Sequence, residues 1–292
     1  MNPVPVYLTP KEQAVYFAAL SRGARAVSVR DTAQRLAISK TYAAKLLHDL
    51  NRKGVAIRSG KGVYLLADPA TVANPRGPSL DPLAALDELM QALGLDYYAA
   101  YATAASLHGL YDQVPFAVSV AVPKWRPPRR LGRHRLVFHQ IPHDRFWGTM
   151  RQAYADAYVT LSDPFKTLLD CSSRLDLVGG ASGLIEIVRN AIDAQDAWEP
   201  PDADYPNALH GTDAFPDYAG RYGDAAAVQR LGYVLKLVAP EPESPLGRFA
   251  ASLRPHRGAG VVPLEPQAGK QGRVDGEWGV RDNVASGRLA VA

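Results

Sequence analysis

Ser39-Lys40-Thr41-Tyr42-Ala43-Ala44-Lys45-Leu46-Leu47-His48-Asp49-Leu50-Asn51-Arg52-Lys53-Gly54 decides how the first part of the chain is read. Serine is a favourable helix N-cap, and a glycine behind Asn51-Arg52-Lys53 is a favourable stop, so the stretch predicts one helix. At about 100° per residue, Thr41, Lys45, His48 and Arg52 fall within a wedge of about 60°. Ala43, Leu46, Leu47 and Leu50 take the opposite side. One face is therefore an aliphatic core stripe, and the other offers hydroxyl, ammonium, imidazole and guanidinium groups. A merely solvated face usually mixes signs, whereas the lone acid here, Asp49, lies off the wedge. A helix fits the major groove, where such donors meet base-edge acceptors and phosphates.

The flanking sequence agrees. Thr9-Pro10-Lys11-Glu12 is a capping box with proline at the first helical position, predicting a helix to about Arg22 that ends at Gly23. Ser28-Val29-Arg30-Asp31 repeats the cap and starts a short second helix ending near Ala37. Three short helices with brief connections point to a helix-turn-helix. After them, Val55–Arg58 and Val63–Leu66 are β-prone runs around Ser59-Gly60-Lys61-Gly62, a hairpin turn. This predicts the wing of a winged helix. The expected DNA-contacting set is Ser39, Lys40, Thr41, Tyr42, Lys45, His48, Arg52, Arg58 and Lys61. Within it, Thr41, Lys45 and His48 would read bases, while Lys40, Arg52, Arg58 and Lys61 would hold phosphates. The competing reading is a winged helix used only for protein contacts.

Charge sorts along the chain in the same way. The 292 residues carry a net +4, yet residues 1–67 hold eleven Lys/Arg against Glu12, Asp31 and Asp49, a net +8 that leaves −4 for the rest. A basic N-terminal unit on a mildly acidic body suggests a polyanion partner for the first part. A content of 47% hydrophobic residues argues for packed cores rather than disorder. The single cysteine, Cys171, excludes a disulfide framework and Cys-rich zinc modules. No apolar run is long enough for a membrane span, and Met1–Val6 lacks the features of a signal peptide. The expectation is a soluble, cytoplasmic α+β protein. Its domains would be a winged helix over 1–67, a Pro/Gly-rich linker over 68–79, and a larger mixed α/β domain over 80–292.

Within 80–292, Asp81-Pro82 opens a helix over Leu83–Leu93, and a second spans about Tyr98–Leu110. Pro115–Val122 and Arg135–Ile141 read as strands. The intervening Lys124–Arg135 reads as a loop with six Lys/Arg and no acid. Lys124, Arg126, Arg129, Arg130 and Arg133 are thus candidates for a second nucleic-acid or partner contact, against a solubilising loop. Asp163-Pro164 starts another helix, with Phe165, Leu168, Leu169 and Ser172 at core spacing. Gly179-Gly180 reads as a C-cap and fresh start rather than a phosphate-binding turn. Asp224–Val238 is the last long helix. Residues 199–224 and 239–272 read as loops, the latter as a long surface excursion, and 273–284 as strand-like pieces.

No catalytic constellation emerges. His134, His139 and His143 with Asp144 invite a metal, but the segment between them is strand-like and Pro142 precludes a helical i,i+4 pair. Asp202 and Asp204 are the only Asp-x-Asp pair and stand in a proline-rich loop with no Gly-Ser dipeptide, a poor two-metal site. Cys171 reads as a small core residue, and no Gly-x-Ser-x-Gly elbow occurs. The expectation is a non-enzyme without cofactor or metal.

Three segments together resemble the AbiEi-type antitoxins of type IV toxin–antitoxin systems. They are Tyr97–Leu110 (Tyr-Tyr-Ala-Ala-Tyr-Ala-Thr-Ala-Ala-Ser-Leu-His-Gly-Leu), Asp163–Asp170 followed by Gly179-Gly180, and Arg230-Leu231-Gly232-Tyr233-Val234-Leu235. With the N-terminal helices they cover most of residues 7–240 in the expected order. The resemblance implies an autorepressor that binds inverted repeats in its own promoter and opposes a toxin of nucleotidyltransferase fold, with no catalytic residues. The stretch 239–272 departs from the pattern. Two alternatives stand beside it: a regulator with a ligand-sensing C-terminal domain and no toxin, and a nucleic-acid-modifying enzyme whose winged helix delivers substrate.

Overall fold

A computed structural model describes residues 6–72, 80–113, 117–131, 134–198 and 217–284. Local capping chemistry sets the first three helices. Helix α1 (Pro10–Leu20) begins at Thr9, whose Oγ1 accepts from the Glu12 amide while Glu12 accepts from the Thr9 amide at 2.6 Å. A short strand β1 (Ala26–Ser28) leads into α2 (Val29–Arg35), where the Ser28 hydroxyl accepts from the Asp31 amide. Ser39 caps α3 (Lys40–Arg52) in the same way, accepting from the Tyr42 amide. Strands β2 (Ala56–Gly60) and β3 (Val63–Leu66) follow, and the antiparallel sheet has the order β1-β3-β2. The turn needs Gly62, at φ +74°, where a side chain would be strained.

Apolar burial joins these elements. Val15, Tyr16 and Ala19 of α1 share one core with Leu46, Leu47 and Leu50 of α3, and with Val27, Val55, Tyr64 and Leu66. Each buried aliphatic side chain contributes about 1.5–3 kcal/mol. Polar ties fix the edges of that core. Glu12 also accepts from Lys53 Nζ at 2.6 Å, joining the start of α1 to the end of α3. The Tyr16 hydroxyl donates to the Ala67 carbonyl at 2.9 Å. Burial, with the Asp68 carboxylate nearby, pushes that phenol up to about 12.

A one-turn α4 (Pro69–Val72) and α5 (Leu86–Ala92) follow, then β4 (Tyr98–Ala99) and α6 (Ala102–Leu107). Strand β5 (Ala117–Val122) pairs in parallel with β7 (His134–Gln140), and β6 (Arg129–Leu131) pairs antiparallel with β7. With β8 (Thr149–Tyr154) and β9 (Ala157–Ser162), the six-stranded order is β6-β7-β5-β4-β9-β8. The remaining elements are α7 (Pro164–Ser173), α8 (Gly180–Ala194), α9 (Tyr218–Tyr222), α10 (Ala225–Val238) and α11 (Pro245–Leu253). A small sheet of β10 (Val262–Pro263), β11 (Arg273–Asp275) and β12 (Val280–Asp282) has the order β10-β12-β11. The architecture is mixed α+β. Among the described residues no helix is long and apolar enough to cross a membrane.

The chain divides into two compact units. One comprises Met1–Tyr98, Phe116–Ile141 and Arg151–Thr160, the other Ala99–Pro115, Pro142–Met150 and Leu161–Ala292. The boundary expected at 68–79 therefore falls inside the first unit; residues 73–79 lie outside the described residues. The reason is the carboxylate of Glu88 on α5, which accepts from the Arg25 and Ala26 amides at 2.6 and 2.8 Å, while Leu86, Leu89 and Met90 are fully buried.

In the second unit, Asp163 caps α7 through the Lys166 amide, and Phe165, Leu168, Leu169 and Ser172 are buried as their spacing predicts. Cys171 is a buried core residue whose thiol burial pushes up. Gly179, at φ +79°, turns the chain into α8, and the first turn is occupied by a carboxylate of the chain itself: Glu265 accepts from the Ala181 amide at 2.8 Å.

Four expectations need correction. Tyr98–Leu110 is a strand and then a helix, because Ala99 pairs with Leu161 and Tyr101 turns the backbone at φ 55°, ψ −136°. The helix expected from Leu83 begins at Leu86, after a turn in which Asp81 accepts from the Leu83 amide. Residues 129–131 of the expected basic loop are strand β6. The supposed surface excursion 239–272 contains α11, whose Leu246, Phe249 and Leu253 are wholly buried.

Two measurements check this account. Phe249→Ala should lower the unfolding free energy by about 3–5 kcal/mol in urea titrations, the cost of emptying a core site; a change within about 0.5 kcal/mol would return 245–253 to the surface. The second concerns acid. Burial of Glu12 opposes its ionisation, but hydrogen bonds from Lys53 and Thr9 outweigh this and hold its carboxyl below the ordinary glutamate range. A lowered folded value means that stability is complete above the unfolded pKa and lost as pH falls through the folded one. Glu12→Gln should flatten the acid limb of the stability curve below about pH 5, and superimposable limbs would contradict the assignment.

Candidate nucleic-acid interface

The leucine stripe of α3 determines what its other side presents. Ala43, Leu46, Leu47 and Leu50 are buried, so Thr41, Lys45, His48 and Arg52 stand exposed in one row, with Ser39 and Lys40 exposed at the start of the helix. Arg52 lies 3.9 Å from Asp49, an exposed pair of little energetic weight. Tyr42 is half-buried and holds the Lys11 ammonium 4.8 Å above its ring, so it supports the face from the α1 side. Lys53, next in sequence to Arg52, points elsewhere and is taken up by Glu12.

The β2–β3 turn is fastened to α3 by a specific bond. Asn51 Oδ1 accepts from the Arg58 amide at 3.0 Å, which leaves the Arg58 side chain exposed, as is Lys61 in the turn. Lys40, Lys45, Arg58 and Lys61 form no ion pair among the described residues. Arg22 and Arg35, by contrast, are both spent on Asp31. Lys40 and Lys45 of α3 and Arg58 and Lys61 beside it are thus exposed cations that no carboxylate pairs among the described residues.

The second basic segment lies in the same unit. Lys124 and Arg130 are exposed and Arg126 is half-buried, while Arg133 lies outside the described residues. Arg129 departs from the expected role: its guanidinium donates to the Ser59 carbonyl of β2. It is a bridge inside the protein rather than a contact for a partner. That bond places the basic strand β6 beside the turn that carries Arg58 and Lys61. Two segments about 70 residues apart in sequence become neighbours, which nothing in the local pattern could announce.

His139 is within 3.3 Å of the Ser119 hydroxyl, and among the described residues no three metal-ligating side chains gather. Asp202 and Asp204 lie outside the described residues. In the second unit, Lys166 is wholly buried with both carboxylate oxygens of Asp170 at 2.9 Å, and Tyr222 donates to the same carboxylate. Burial and the Asp170 charge push the Tyr222 phenol well up. The sequence does not single out this cluster, because an i,i+4 Lys–Asp spacing is the same whether the pair is buried or exposed. Only burial separates the two cases: every residue of α7 from Phe165 to Ser172 is buried, polar ones included.

No protein-family model matches the chain, and no curated protein does. Among solved structures the chain is similar to the crystal structure of the RV2827C protein from Mycobacterium tuberculosis. The identity is 15% and the TM-score 0.62, over 99% of this chain and 97% of that one. At that identity the likeness concerns the fold alone.

Arg129→Ala should leave the Ser59 carbonyl without its protein donor and loosen the turn. Amide hydrogen exchange over 58–62 should then quicken by about 5–10-fold, the equivalent of about 1–1.5 kcal/mol for one hydrogen bond. Unchanged protection there would mean that the bridge does not hold the turn.

Proposed function

We propose that residues 6–66 act as a winged helix whose α3 enters the major groove of duplex DNA, and that the chain is a transcriptional autorepressor. The observation that carries this reading is the exposed row Thr41, Lys45, His48 and Arg52, backed by buried leucines and flanked by Arg58 and Lys61. Thr41, Lys45 and His48 supply donors and an acceptor for base edges; Lys40, Arg52, Arg58 and Lys61 supply charge for phosphates. The element order α1-β1-α2-α3-β2-β3, with the hairpin pinned to α3 by Asn51, supports the winged-helix assignment.

The resemblance to AbiEi-type antitoxins extends the proposal. On it, the chain binds inverted repeats in its own promoter in the cytoplasm and opposes a nucleotidyltransferase-fold toxin, directly or through function. A nucleotidyltransferase-like reading frame next to this one, toxic alone and tolerated when co-expressed with this chain, would support that half. A second reading, regulation by a small ligand, has one observation in its favour: a cleft of about 560 Å³ lined by Arg254, Arg257, Glu277 and Trp278.

Electrophoretic mobility shifts on the region upstream of the gene test the DNA reading. Lys45→Ala should weaken the specific complex by about 1–3 kcal/mol, the worth of a good base contact. Lys61→Ala should weaken all duplexes alike and shallow the salt dependence by about one phosphate contact. Full binding by both variants would show that another surface is used.

A further inference from the structure

The cleft of about 560 Å³ lined by Arg254, Pro255, Arg257, Gly276, Glu277 and Trp278 lies wholly within the second unit. One buried side chain joins its two walls. Gln229 of α10, 1% exposed, donates from Nε2 to the Gly260 carbonyl beyond Arg257 and to the Trp278 carbonyl, both at 2.8 Å. The wall at 275–278 is folded on itself, since Asp275 Oδ1 accepts from the Glu277 and Trp278 amides at 3.1 and 2.8 Å. Gly232, in the Arg230–Leu235 segment, leaves the space that the six-membered ring of Trp278 fills, and a Cβ there would collide with that ring. The wall is thereby anchored on α10.

Packing of that ring on Gly232 turns the opposite edge of the indole, which carries Nε1, away from α10. Trp278 is 2% exposed, and its Nε1 is buried with no acceptor among the described residues. Buried N–H groups nearly always have an acceptor, so this one points to an oxygen supplied from outside the chain. The charges around it are sorted. Glu277 is taken by two cations, Arg254 at 2.8 Å and Lys236 at 3.0 Å, and Lys236 also bonds Asp275. The Arg254 guanidinium lies 6.0 Å from the Trp278 ring centre. Arg257 is exposed and forms no ion pair among the described residues. Three cations (Lys236, Arg254, Arg257) against two carboxylates (Asp275, Glu277) leave one positive charge, and Arg257 carries it.

We infer that this cleft binds a small organic carboxylate, with the Arg257 guanidinium holding its two oxygens and Trp278 Nε1 donating to one of them. The planar fork of an arginine matches a carboxylate in two parallel hydrogen bonds. The apolar part of the ligand lies along Pro255 and over the open backbone at Gly276, where nothing stands within 4 Å of a side-chain position. A phosphate monoester matches Arg257 in shape, but it brings about −1.5 to −2 charges against one. Both Glu277 oxygens are engaged, so a ligand ammonium finds no carboxylate there. The inference rests on the small-ligand reading above, names the class of that ligand, and leaves the α3 face untouched.

The experiment titrates the full chain with sodium benzoate while following its amide and indole N–H spectra, with sodium chloride at matched ionic strength as the control. The assigned indole signal of Trp278 should move saturably, together with the amides of 254–257 and 276–278. Arg257→Ala removes an exposed side chain and should weaken benzoate binding about 10-fold, the worth of one charge-assisted pair, and Arg257→Lys should recover only part of it. Inorganic phosphate should bind more weakly than benzoate. Shifts that do not saturate, shifts matched by chloride, or full affinity in Arg257→Ala would overturn the site, and tighter binding of phosphate would overturn the carboxylate. These measurements contain no DNA, so regulation is tested apart from them: an upstream duplex bound equally well with and without saturating benzoate would end the small-ligand reading while the site stands.

Discussion

The burial of Leu46, Leu47 and Leu50 against Val15, Tyr16 and Ala19 fixes the rotation of α3 about its own axis. Once three leucines on adjacent turns face inward, the helical repeat leaves Thr41, Lys45, His48 and Arg52 facing outward. Rotation by one residue, about 100°, would bury Lys45 or His48 and expose two leucines, at a cost no surface contact could offset. The same core therefore supplies the stability of the N-terminal elements and the orientation of their polar row.

That orientation needs longitudinal restraint as well. The Glu12–Lys53 pair and the Thr9 capping box clamp the start of α1 to the end of α3, and Asn51 holds the Arg58 amide so that the β2–β3 turn follows the helix. Outside this core, Glu88 closes over the Arg25 and Ala26 amides, and Arg129 reaches the Ser59 carbonyl. These are side-chain bonds to main-chain groups at otherwise open strand ends. They accompany the grouping of the N-terminal elements with later segments of the chain in one compact unit.

What could be read from the sequence follows from the range of the interactions involved. Thr9, Ser28, Ser39 and Asp163 announce their helices because a cap side chain and the amide that donates to it lie three residues apart. The α3 face was equally legible, since helical periodicity alone separates it. Strand β1 was not, because three residues carry no period and Ser28 also serves as a cap. Strand β4 was masked by an alanine- and tyrosine-rich run that suits a helix until Tyr101 turns the backbone. Helix α11 carries a local signal, since Ser244-Pro245 repeats the cap-and-first-turn pattern of Thr9-Pro10, but the glycines and prolines around it obscure the spacing of Leu246, Phe249 and Leu253. The Arg129–Ser59 and Lys166–Asp170 contacts depend on burial and distant pairing, which composition does not encode.

The central claim is that the outward row of α3 meets duplex DNA. The most direct measurement is a set of transverse-relaxation-optimised amide spectra of the 31.6 kDa chain titrated with its own upstream duplex. The account predicts that the largest shifts fall on residues 39–52 and 58–61, with the buried leucines of α3 moving little. Shifts confined to other elements, or none at all in dilute buffer, would contradict it.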